Sequence, residues 1–109
     1  MTVSITPRTL DPFSDCDAET LAEYRGWVCE ICGKERGTQR HHALFRRDRR
    51  FQELDAAINY QLVCPSCHMS GEADSRVNRM AFYQVQCERY GKSVVDGWIA
   101  SLPMKEKDL

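Results

Sequence analysis

Residues 60–68 read Tyr-Gln-Leu-Val-Cys-Pro-Ser-Cys-His: a short apolar and aromatic run, then Cys64-x-x-Cys67, with His68 directly behind. The first four residues suit a strand, and Pro65-Ser66 suit the tight knuckle that a Cys-x-x-Cys pair requires. A pair of the same form, Cys29-x-x-Cys32, lies upstream and is followed by Gly33, with 31 residues between the two pairs. Two thiolates at this spacing reach one tetrahedral ion from a single turn. The doubled pattern therefore points to a structural zinc held by Cys29, Cys32, Cys64 and Cys67. The alternatives are two disulfides or four free thiols, and a reducing compartment disfavours the disulfides. Cys16 and Cys87 fall outside the pattern and read as apolar filling.

Outward from the knuckles, residues 38–44, bounded by Gly37, read as a second strand. It pairs antiparallel with residues 60–63 and draws the two knuckles together. The charged connection, residues 45–59, carries a helical turn around 51–58 and exceeds an ordinary hairpin loop, a length that tends to go with function. Residues 14–25 read as a helix capped by Ser14 or Asp15 and ended by Gly26, with Leu21 and Tyr24 toward the core. Residues 72–90 read as one long helix with Val77, Met80, Ala81 and Cys87 on its apolar side, stopped by Gly91. A last helix over 93–102 sets Val94, Val95, Trp98, Ile99 and Leu102 on one side before Pro103. The first twelve residues, with Pro7 and Pro12, read as an extended lead-in, and Lys105–Leu109 as a frayed tail. One domain is expected over 1–109: lead-in and helix 1–26, core 27–90, C-terminal helix and tail 91–109.

The composition sets bounds on this reading. With 42% hydrophobic residues and a net charge of −1, the chain is not wholly disordered. No apolar run nears the ~20 residues of a membrane span. Met1 to Leu10 has no apolar stretch behind a basic start, so a cytoplasmic protein without membrane association is expected. A chain this short buries roughly 65% of its unfolded surface, a thin margin. Zinc contributes on the order of 10 kcal/mol in such cases, so chelation should unfold the centre. The overall charge argues against a nucleic-acid partner, but its distribution does not. Residues 34–50 hold seven basic and two acidic side chains, a net of +5, while the rest nets −6. Arg40, Arg46, Arg47, Arg49 and Arg50 are candidate phosphate contacts, because the guanidinium fork donates two parallel hydrogen bonds. The bland alternative is a solvated, charged loop.

The three histidines complete the pattern: His41-His42 on the first strand and His68 behind the last cysteine, with Asn59 just before the second strand. Neighbouring strand residues face opposite ways, so His41 and His42 are suited to different roles in one cleft. Cys29-x-x-Cys32, His41-His42, Asn59 and Cys64-x-x-Cys67-His68, in that order, resemble the HNH endonucleases, the zinc-stapled branch of the ββα-metal nucleases. The resemblance covers roughly residues 27–90 and implies an α+β fold: a small zinc-stapled, treble-clef-like ββα-metal domain, here with flanking helices. It implies a metal-dependent endonuclease that hydrolyses phosphodiester bonds in DNA, duplex by expectation, leaving 5′-phosphate and 3′-hydroxyl ends. In that family's terms His42 resembles the general base and Asn59 the residue that orients the base-bearing loop. His41 and His68 resemble ligands of a catalytic Mg2+, Mn2+ or other divalent ion. Glu72, four residues past His68, stands where some members carry a further ligand. Free-standing members of this size imply a phage or mobile-element setting and a larger DNA-processing machine, as monomer or homodimer. Two other readings stay open: His41 and His68 as additional zinc ligands, or a non-catalytic treble-clef zinc module that binds nucleic acid or a protein.

Overall fold

A computed structural model describes residues 10–103; the lead-in before residue 10 and the tail Lys105–Leu109 lie outside the described residues. Helix α1 spans Ala18–Arg25, strand β1 Gln39–His42 and strand β2 Tyr60–Val63. Helices α2 (Pro65–Met69), α3 (Arg76–Tyr90) and α4 (Lys92–Ser101) follow. Among the described residues these elements make a small mixed α/β structure with four helices and a two-stranded antiparallel sheet. No described helix is long and apolar enough to cross a membrane.

The hairpin pairs Gln39 with Val63 and His42 with Tyr60. β2 has the expected bounds, whereas β1 stops at His42 rather than reaching Leu44. The cause is Asn59: its side-chain Oδ1 accepts from the amides of Leu44 and Phe45, both at 2.9 Å, and so ends the ladder. Gly37 is needed at the base of the hairpin, since a Cβ there would stand 2.5 Å from Leu62 Cγ. The connection forms two 3-10 turns, Gln52–Leu54 and Ala57–Asn59, instead of one helical turn. The amides of Ala57 and Ile58 donate to the carbonyls of Ser14 and Pro12, not to their own helix.

Three helical expectations change. α1 begins at Ala18, capped by Asp17 through a 2.7 Å bond from the Thr20 amide. Ser14 is occupied in a turn with Asp11, and Asp15 accepts from the Cys16 amide and the Tyr60 hydroxyl. The helix expected over 72–90 starts late, at Arg76, and a separate short helix precedes it. α2 starts on Pro65 and ends at Ser70, Gly71 turns left-handed at φ +88°, and α3 restarts on a Ser75 cap. Glu72 therefore does not continue the helix that carries His68.

The apolar side of α3 is also not the expected one. Val77 and Met80 are 79% and 60% exposed and Ala81 is exposed, while Phe82 and Gln86 are buried and Cys87 is half-buried. Gln86 donates to the Ile58 carbonyl at 2.7 Å, and Asn78 exchanges hydrogen bonds with buried Gln61. A buried face made partly of amides escapes a search for apolar periodicity. Phe82 meets Val95 and Trp98 of α4, with Val94, Ile99 and Leu102 packed beside them, so α4 buries the side expected of it. Leu21 is buried against Tyr60 and Leu62, and Tyr24 is half-buried. Cys16 and Cys87 are half-buried apolar filling, as expected. Across these layers Arg25, its side chain 2% exposed, donates to Glu30 and to the Tyr60 and Ala57 carbonyls. Glu30 in turn accepts from the Leu62 amide and from Arg89 of α3.

Candidate functional site

The hairpin has a cysteine end and a histidine end. At the first, Cys29, Cys32, Cys64 and Cys67 place all four Sγ atoms within 4.8 Å of one another. The Cys32 and Cys64 sulfurs are 3.9 Å apart, close to the about 3.8 Å edge of a tetrahedron with Zn–S bonds near 2.3 Å. The amides of Ile31 and Cys67 point at the Cys29 and Cys64 sulfurs, at 3.4 and 3.5 Å. Backbone N–H groups of Glu35 and Lys34 lower the Cys32 thiol to about 6. Burial, followed by proton sharing with Cys64 and Cys29, pushes Cys67 up to about 12. Four crowded thiols cannot all ionise unaided, and a divalent cation removes that conflict. The cluster has the donors, the spacing and the closed shape of a structural zinc site.

At the other end, His41, His42 and His68 line one cavity of about 690 Å³ together with Arg40, Arg46 and Arg47. His41 is buried at 6% exposure; its Nε2 lies 2.7 Å from the Ala73 carbonyl and 3.8 Å from the Asp74 carboxylate. Burial lowers its affinity for a proton below that of free imidazole, against the opposing pull of the Ala73 carbonyl and Asp74. His68 stands edge-on to it, ring centroids 5.2 Å apart, and its Nδ1 meets the Gln39 amide oxygen at 2.7 Å. That oxygen only accepts, so the proton sits on Nδ1 and the Nε2 lone pair is left available. His42 turns the other way: its Nε2 bonds Asp55 Oδ1 at 2.8 Å, and its ring stands edge-on to Tyr60. A carboxylate on Nε2 fixes the proton there and leaves Nδ1 to act as a base.

Asn59 is fully buried and uses its whole amide. It accepts from Leu44 and Phe45, and it donates to the Phe45 and Leu54 carbonyls, both at 3.0 Å. It thereby ties the start of the loop after His42 to the 3-10 turn before Asp55. Arg40 reaches the cavity but is pinned by Asp15 and the Cys16 carbonyl, above the Tyr60 ring. Arg46 and Arg47 are exposed on the rim; Arg49 and Arg50 lie outside the lining, and Arg50 donates through Nε and Nη2 to Asp48. Glu72 is exposed in the turn between α2 and α3, and the carboxylate beside His41 is Asp74. Among the described residues the four cysteines are the one His/Cys/Asp/Glu group of three or more that converges, so His41, His68 and Glu72 do not form such a group.

Gln39, Asp55 and Asp74, the partners of the three histidines, were not singled out in the sequence. Gln39 had a signal, since on a strand it shares a face with His41 two residues on. Asp55 and Asp74 sit in loops that only the tertiary fold brings in. Comparison with protein-family models, curated proteins and solved structures found no match.

Proposed function

We propose that this chain is a metal-dependent endonuclease of the HNH kind, hydrolysing phosphodiester bonds in DNA and leaving 5′-phosphate and 3′-hydroxyl ends. The convergence of three histidines on one cavity rimmed by Arg46 and Arg47 carries this proposal. Asp55 holds His42 through Nε2, so Nδ1 takes the proton of the attacking water. Water oxygen bonds to phosphorus as the bond to the 3′ oxygen breaks. Arg46 and Arg47 bind the phosphate, and Asn59 keeps the loop between them and the strand in place. A divalent ion at this end would be held by His41 and His68 with Asp74, rather than Glu72, as the nearest carboxylate. Its binding would draw together donors that stand apart in this structure, where His41 Nε2 is on the Ala73 carbonyl. Such an ion supplies positive charge to the phosphate and to the leaving oxygen when bound. A cytoplasmic, phage-type setting within a larger DNA-processing machine follows from the same resemblance.

A second reading has one observation in its favour: His41 Nε2 is already engaged by the Ala73 carbonyl. A non-catalytic treble-clef zinc module would use the histidine in that way and bind nucleic acid without cutting it. A plasmid-nicking assay with Mg2+, Mn2+ or Ni2+ separates the two. The nuclease nicks, and His42→Ala lowers the rate by about 10²–10⁴-fold with zinc content unchanged. Equal nicking by wild type and His42→Ala, or no nicking with any metal, overturns the enzyme assignment.

A further inference from the structure

Beside the histidine cavity lies a second, larger one of about 1020 Å³, and His41, His42, Arg46 and Asp74 line both. The two differ in character. The histidine cavity is walled by charged and polar groups, whereas the second adds an apolar wall of Phe45, Met80, Tyr83 and Ile99, with Arg76 and Arg79 from α3 beside it. Arg79 lies over the Phe45 ring, 5.4 Å from its centroid. These two arginines lie outside the basic stretch of residues 34–50, yet the fold delivers them to the same side as Arg46. Met80, an apolar residue that α3 keeps out of the core at 60% exposure, lines this cavity.

Guanidinium groups around a hollow with one apolar wall, next to a candidate phosphate site, suit a nucleotide whose base has left its stack. A base paired within a perfect duplex has both faces covered by its neighbours and cannot enter an apolar hollow. An unpaired one can stack on aromatic side chains, here Phe45 and Tyr83 of the wall. Resting on the nuclease assignment above, we infer that the second cavity receives an unpaired nucleobase of the substrate strand, with the adjoining phosphate at His41-His42. The substrate class is then DNA carrying an unpaired nucleotide, such as a bulge within a duplex. Arg76 and Arg79 hold the flanking backbone, and Met80 packs on the base.

The test uses the full-length, zinc-loaded His42→Ala chain and two fluorescein-labelled 24-base-pair duplexes, one perfect and one with a single bulged thymidine, read by fluorescence anisotropy. The bulged duplex should bind about 10-fold tighter, the equivalent of about 1.4 kcal/mol. Met80→Ala, which removes the contact at an exposed position without adding charge, should abolish that preference while leaving affinity for the perfect duplex within about twofold. Arg79→Ala should weaken both probes and flatten the salt dependence. Equal affinity for the two duplexes, or a preference that survives Met80→Ala, overturns this inference and leaves the nuclease assignment standing. Failure to bind either probe overturns both.

Discussion

The cysteine end and the histidine end share the β1–β2 hairpin but use their donor atoms differently. Four sulfurs face one another within 4.8 Å and are supported only by backbone amides, which is the arrangement of a closed site. Each of the three histidines instead spends one ring nitrogen on a protein oxygen, from Ala73, Asp55 or Gln39, and turns toward a cavity open to solvent. One end is complete once an ion is added; the other is braced at its outer side and left open at its inner side. That contrast separates a site that supports folding from one suited to an incoming ligand, even though one hairpin of two four-residue strands joins them.

Removing zinc should have the largest effect and should cross the boundary between the ends. A strong chelator withdraws on the order of 10 kcal/mol from the cysteine end. Near-UV circular dichroism and the thermal transition should both collapse, taking the histidine cavity with them. Retention of both signals would show that the hairpin holds without metal. Glu30→Ala comes next, because it leaves the buried Arg25 guanidinium without its counter-charge, held only by the Tyr60 and Ala57 carbonyls. A loss of about 3–5 kcal/mol is expected in urea unfolding of the zinc-loaded chain, and a loss under 1 kcal/mol would mean that water reaches Arg25. The smallest effect, and the most local, belongs to Gln39→Ala. Freed of its partner, His68 should lose about 10–100-fold in affinity for a second divalent ion, read by calorimetric titration of Mn2+ into the zinc-loaded chain. Stability should hardly move, and unchanged Mn2+ affinity would remove Gln39 from the site.

The elements legible in the sequence are those decided by near neighbours. Tyr60–Val63 and the two cysteine knuckles are short, bounded and locally patterned, and α4 carries its apolar side in plain view. Ser14 and Asp15 looked like helix caps, but Asp11 and Tyr60 compete for them from outside the helix. Gly71 marked the break after His68, yet only the left-handed turn and the burial of Ala73 show that the chain restarts at Ser75. On α3 the true inner face carries Gln86 and half-buried Asn78, whose bonds to the Ile58 carbonyl and to Gln61 exist only after folding. The candidate site divides in the same way. The histidines, Asn59 and the arginines beside them were legible as a pattern along the chain. Asp55, Asp74, Arg76 and Arg79 arrive through loop closure and helix packing.

Asn59 has a consequence for amide-proton exchange. Leu44 and Phe45 begin a charged surface loop, but their amides donate to a fully buried side-chain oxygen. Loop amides ordinarily exchange through small local openings, whereas these two can be released only when the Asn59 amide leaves the interior. They should therefore exchange with the slow protons of β2 and not with the fast ones of residues 46–50. Two resonances in a mobile-looking stretch thus report whether the histidine cavity is assembled, with the zinc-loaded chain alone and neither substrate nor a second divalent ion in the tube.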